Sequence, residues 1–139
     1  MIAYADTSVL MRLLLGQPDR LREWTKVKAP LTSTLGSVEC FRTIERLRFH
    51  LGLDDEKIAR LRSDAHALLG RHVLTAVSPE VLARAADPFP TSLGTLDAIH
   101  LSSALLWQQS EGRELEAFLT HDAELGRAAR SMGLRVLGV

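Results

Sequence analysis

Four carboxylates carry the chemical interest of this sequence. Asp6 closes the apolar run "MIAYAD" and is followed by two hydroxyls, Thr7 and Ser8. An ionised carboxylate beside a core strand is costly to desolvate unless it caps a helix, pairs with a cation or holds a metal. Asp122 stands in the same relation to the run "EAFLT". Glu39 follows Ser33 by six residues on an amphipathic stretch, where Leu35, Val38 and Phe41 are expected to be buried around it. Asp97 lies in the first turn of "LDAIHLSSALLWQQSEG", flanked by Leu96 and Ile99 on a segment with hardly a charge before its end. In open parallel sheets ligands bind beyond the carboxyl ends of the strands, which is where two of these acids fall. If all four converge they repel one another unless a divalent cation sits among them. A set of hard oxygens, with one cysteine and no histidine cluster, favours Mg²⁺ or Mn²⁺ over zinc. Each acid also has an ordinary structural use open to it: Asp6 and Asp122 as N-caps, Asp97 as a dipole partner, Glu39 as an i,i+3 partner of Arg42.

The elements that must position these acids alternate in type. Ile2–Ala5 reads as a strand, "SVLMRLLLG" as a helix closed by Gly16, and Pro18 opens a polar helical turn through Trp24. "APLTST" supplies a second strand. A long helix, "TLGSVECFRTIERLRFHLG", repeats Leu35, Val38, Phe41, Ile44, Leu47 and Leu51 at three- and four-residue steps and ends at Gly52. "DDEKIARLRSDAHALLG" is a further helix with acids in its first turn. "HVLTAV" is a third strand, and "SPEVLARAA" a helix with Ser78 as cap and Pro79 at its first position. The loop "DPFPTSLGT" feeds the helix carrying Asp97. A fourth strand "EAFLT", a helix "DAELGRAARSMG" and a fifth strand "RVLGV" complete the chain. Strands alternating with helices imply parallel pairing and right-handed crossovers, and so an α/β fold: a three-layer α/β/α sandwich on a mainly parallel sheet of about five strands. No repeat or linker divides it, so residues 1–139 are expected to form one domain.

Composition narrows the function. Seventeen basic residues balance seventeen acidic ones among 139, which excludes a broad cationic surface that binds nucleic acid without selectivity. The lone cysteine, Cys40, rules out an internal disulfide and reads as a small core residue, in keeping with a reducing cytoplasm. No run is long and apolar enough for a membrane span, and nothing resembles an export signal.

The acids and their surroundings together resemble a known family. "ADTSVL", "SVECFR", "LGTLDAIHLSSAL" and "LTHDAELGRAARSMGLRV" are similar, in order and over almost the whole chain, to the four acidic motifs of PIN-domain ribonucleases, in particular VapC-type toxins of toxin–antitoxin pairs. The resemblance implies a metal-dependent endoribonuclease with Asp6, Glu39, Asp97 and Asp122 as its acidic residues. Asp6, Glu39 and Asp97 are expected to hold Mg²⁺ or Mn²⁺, and Asp122 to orient water or hold a second ion. Ser8 and Thr120 are candidate donors to these acids or to phosphate, with caps and strand ends as their structural alternative. Arg12, Arg42 and His121 are candidate contacts to the RNA backbone. His100 reads as a structural histidine. Many relatives carry a further acid near the fourth motif; here the nearest is Glu124, expected to be solvated. The implied partners are RNA, a cognate antitoxin and a second copy of the chain, the last through "RLREWTKV" and "TIERLRFH". Two other readings stay open, an RNA-processing nuclease with no toxin role and a non-catalytic doubly wound interaction domain.

Overall fold

Strand β1 (Ile2–Ala5) takes the middle of the sheet because it is apolar on both faces. Ala3 and Ala5 belong to one core and Tyr4 to the other, all fully buried. The computed structural model describes every residue from Met1 to Val139. β2 (Ala29–Ser33) and β4 (Ala117–Leu119) flank β1, with β3 (Val73–Thr75) and β5 (Val136–Leu137) outside them, in the order β3-β2-β1-β4-β5 and parallel throughout. β4 repeats the alternation, sending Ala117 and Leu119 to the first core and Phe118 to the second.

Parallel neighbours need crossover connections, and the helices that supply them cover both faces. α1 (Thr7–Leu14), α2 (Thr34–His50) and α3 (Asp55–Leu69) enclose the first core through Val9, Leu10, Cys40, Ile44, Ile58 and Leu69. α5 (Thr95–Glu111) and α6 (Ala123–Ser131) enclose the second through Leu101, Ala104, Leu125 and Ala128, and α4 (Pro79–Ala86) packs on α5. The expected three-layer α/β/α sandwich is therefore the fold observed. Side-chain caps start five of the six helices: Asp6, Ser33, Asp54, Ser78 and Asp122 each accept from a backbone N–H of the following turn.

Three local expectations need correction. The buried face of α2 is Gly36, Cys40 and Ile44, while Val38 is 59% and Leu51 66% exposed. Small residues choose that face because they let α2 close on the sheet: a Cβ on Gly36 would stand 2.6 Å from Thr32 Oγ1. The helical turn after Pro18 begins only at Arg22, as a short 3₁₀ segment to Lys26, because Arg12 pairs with Asp19 and Arg20 N–H bonds the Gln17 carbonyl in a separate turn. The outer strands are shorter than their apolar runs, and Val73 and Leu74 of β3 lie exposed on the sheet edge.

Candidate active site

The strand order reverses between β1 and β4, and Asp6 and Asp122 follow these two neighbouring strands. Such a reversal leaves a crevice beyond the carboxyl ends of the strands, since the two connections turn away to opposite sides. Asp6 is 4% exposed, and three donors from the chain meet its carboxylate. Its Oδ1 accepts from Ser8 Oγ (2.6 Å) and Val9 N–H (3.1 Å), and its Oδ2 from Thr120 Oγ1 (2.6 Å). Both hydroxyls are used twice. Ser8 Oγ accepts from His121 N–H (2.8 Å) and Thr120 Oγ1 from Asp122 N–H (2.9 Å), so Asp6 is tied through them to the connection between β4 and α6. Ser8 and Thr120 are thus donors to Asp6, the first of the two uses expected for them.

Glu39 is held from three directions. Thr7 Oγ1 donates to its Oε2, and His100 Nε2 lies 2.7 Å from the same oxygen. On the other side of the ring, Tyr4 Oη lies 2.9 Å from His100 Nδ1. Burial by itself raises the Glu39 pKa, but the hydrogen bonds from His100 and Thr7, with the fields of His100 and Arg46, outweigh it and hold the carboxyl below its ordinary range. His100 is a buried, satisfied histidine as expected. The link from Tyr4 through His100 to Glu39 escaped the sequence reading. Its only signals were a tyrosine in an otherwise small-residue strand and a histidine one helical step from Asp97.

Asp97 is treated differently. It is half-buried in the first turn of α5, no hydrogen bond reaches its carboxylate, and its pKa is raised, first by desolvation and then by the charge of Asp122, with Asp6 and Glu39 adding to it. The other three acids are therefore within electrostatic reach of Asp97. Asp122 is exposed and caps α6 through Oδ1, which accepts from Glu124 and Leu125 N–H at 2.8 and 2.9 Å. Glu124 is exposed in that first turn. Arg42 is exposed and pairs with neither acid offered to it: Glu39 is held by His100 and Thr7, and Glu45 by Arg48 at 3.2 Å. Arg12 pairs with Asp19, and His121 Nδ1 bonds the Gly138 carbonyl at 2.9 Å.

A hard divalent cation suits this donor set by its chemistry. Asp97 keeps both oxygens without a donor, and a cation would offset both the desolvation and the acidic repulsion that raise its pKa. The acids do not form a ready-made cage, since no three Asp, Glu, His or Cys side chains close around one point. A hollow of about 640 Å³ between β3, α4 and α5 contains none of the four acids.

A profile of the PIN domain matches residues 3–131. The chain belongs to the PIN domain family. Among its relatives is Ribonuclease VapC47 of Mycobacterium tuberculosis, 34% identical over 137 residues that cover 94% of this chain and 91% of that protein. Ribonuclease VapC46 of the same species is 31% identical over 137 residues, covering 96% of this chain and 95% of the relative. The crystal structure of VapBC2 from Rickettsia felis bound to a DNA fragment from their promoter contains a chain of the same PIN fold, with a TM-score of 0.67, 13% identity and coverage of 98% and 97%. The resemblance to VapC-type PIN proteins drawn from the four motifs is borne out. No helix is long and apolar enough to cross a membrane.

Proposed function

We propose that this PIN-domain chain is a Mg²⁺- or Mn²⁺-dependent endoribonuclease and the toxin of a toxin–antitoxin pair, working in the cytoplasm. The observation that carries the reading is Asp97, a half-buried carboxylate with no donor, set in the field of three other acids. Its compensation within the chain, the N-terminal dipole of α5 and the field of His100, is outweighed by burial and by the neighbouring acids, an arrangement that stability alone does not favour. The VapC relatives of matching length, named as ribonucleases, support the choice of RNA as substrate.

In this reading Asp6, Glu39 and Asp97 hold the cation, and Asp122 orients water or holds a second ion. A divalent ion so held supplies Lewis acidity toward the scissile phosphate and its nucleophile. The chain's own contribution is positional. Ser8 and Thr120 fix Asp6 at both oxygens, and the depressed pKa of Glu39 keeps it ionised at neutral pH. Asp122 keeps its Oδ2 clear of the helix cap, so it can take a proton or orient water beside Asp97. The exposed Arg42, on the helix that carries Glu39, is free to meet a phosphate of the RNA backbone. With no net charge on the chain, target choice falls to RNA shape and exposed single strands rather than to bulk electrostatics.

An antitoxin and a second copy of the chain are the proposed protein partners. The exposed Phe49 and Leu51 at the end of α2 offer apolar surface for one of them. Cleavage of RNA by the purified protein in Mg²⁺, abolished by EDTA and by Asp97→Asn, is the expected result. Cleavage undiminished in excess EDTA would overturn the metal-dependent reading, and a monomeric mass by light scattering at micromolar concentration would remove the homodimer.

A further inference from the structure

We propose that His100 is a positioning residue that fixes the Glu39 carboxylate at the acidic crevice, with Tyr4 holding the other nitrogen of its ring. The inference rests on the reading of the crevice as a cation-dependent nuclease site and adds to it a role for two residues outside the acidic set.

The geometry is specific. α2 lies over the first core and α5 over the second, so the Glu39–His100 bond joins the two outer layers of the sandwich past the end of the sheet. His100 is 2% exposed and Tyr4 fully buried, and buried polar atoms need partners. A histidine serving only the core could satisfy its ring on nearby backbone carbonyls. Here both ring nitrogens go to side chains. A carboxylate only accepts, so Nε2 carries the proton toward Glu39, and the Tyr4 hydroxyl, able to donate or to accept, meets Nδ1 in either state of the ring. Tyr4 cannot turn away, because its ring stacks on Phe118 with centroids 5.4 Å apart.

The donors to Glu39 converge on one oxygen. Oε2 receives both His100 Nε2–H and Thr7 Oγ1–H, while Oε1 has no protein donor. The clamp orients the carboxylate and leaves one oxygen for another ligand. α5 thus contributes twice, with Asp97 as an acid of its own and, three residues later on the same face, the residue that holds the acid from α2. Gly36 lies beside this clamp: a Cβ there would meet His100 Cε1 at 3.5 Å and Thr7 Oγ1 at 3.7 Å, both ordinary contacts, and it is Thr32 Oγ1 at 2.6 Å that demands the glycine.

The test is Mn²⁺ affinity by isothermal titration calorimetry, with RNA cleavage followed in parallel. His100→Leu is expected to weaken Mn²⁺ binding about 10- to 100-fold, the usual range for partners that orient metal ligands. Its kcat should fall at limiting Mn²⁺ and recover as Mn²⁺ is raised, with KM for RNA unchanged. His100→Gln places an amide N–H near the position of Nε2, where it can donate to Glu39, and is expected to restore affinity to within a few-fold of wild type. Equal Mn²⁺ affinity in wild type and His100→Leu would overturn the role of His100 while leaving the nuclease reading intact. Failure of wild type itself to bind Mn²⁺ would overturn that reading, and this inference with it. Should His100→Leu not fold, Tyr4→Phe decides: it keeps ring and packing but loses the hydroxyl, and an unchanged Mn²⁺ affinity there would contradict the proposal.

Discussion

Asp6 and Asp97 lie within electrostatic reach of each other, and the fold treats them in opposite ways. Asp6 is almost wholly buried, yet it accepts three hydrogen bonds and caps α1. Asp97 is only half-buried, accepts none, and has its pKa pushed up by burial and by its acidic neighbours. The first arrangement joins strand, helix and connection into one unit, and a stability requirement is enough to explain it. The second costs stability whenever the carboxylate is ionised without a cation nearby. The acids therefore divide into an anchored half, made of Asp6 and Glu39 with their donors, and a donor-free one, Asp97, while the exposed Asp122 stands between them, capping α6 through Oδ1.

The largest effect that separates the halves is on activity and stability together. Asp97→Asn is expected to reduce RNA cleavage to background while leaving the metal-free fold as stable as wild type or more so. Asp6→Ala is expected to lose cleavage and to destabilise as well, by roughly 2 kcal/mol or more, because it orphans Val9 N–H and two hydroxyls and removes a cap. Chemical denaturation of both variants in EDTA checks the contrast, and equal destabilisation would erase it.

A smaller effect is expected at the hydroxyls. Thr120→Val keeps the shape of a fully buried residue but removes the donor to Asp6 and the acceptor for Asp122 N–H, a loss of about 1–2 kcal/mol. Urea titration measures it. A neutral outcome would mean that the anchored half owes little to this hydroxyl.

The pH dependence of metal-free stability should also divide the halves. Glu39 has a lowered pKa, so its contribution is present above the ordinary carboxylate range and lost as pH falls through its depressed value. Asp97 has a raised pKa, so its penalty is absent in strong acid and grows as pH rises through the ordinary range to the raised value. Melting curves of wild type and Asp97→Asn are expected to coincide at low pH and separate toward neutrality, with the variant higher. The smallest expected effect is at Glu124, exposed on α6, where Glu124→Gln should change neither melting nor cleavage measurably.

Much of this was legible in the sequence, for reasons that can be named. Element order followed from local periodicity and caps: "IAYA" and "AFL" are too short and too apolar to be anything but buried strands, and Ser33, Ser78 and Asp122 announce helices. The acids at strand ends followed from the position of ligand sites in parallel sheets. Cys40 is the expected core thiol, with burial, helped by the charges of Glu39 and Asp6, pushing its pKa up to about 12. The buried face of α2 was not legible, because it is decided by a contact between Gly36 and Thr32 across two elements and not by the spacing of large apolar residues. The Tyr4–His100–Glu39 link joins residues 96 and 61 positions apart, and no local pattern encodes such pairs.

The most direct test of the account is the Mg²⁺ dependence of thermal stability in wild type and Asp97→Asn. Preferential binding to the folded state should stabilise wild type by about 2.7 kcal/mol at a hundredfold excess of Mg²⁺ over Kd. The same concentration should shift Asp97→Asn far less, from a metal-free melting temperature at or above that of wild type. An Asp97→Asn protein that melts well below wild type in EDTA, or that keeps the full Mg²⁺ shift, would contradict the account and leave Asp97 as an ordinary structural acid.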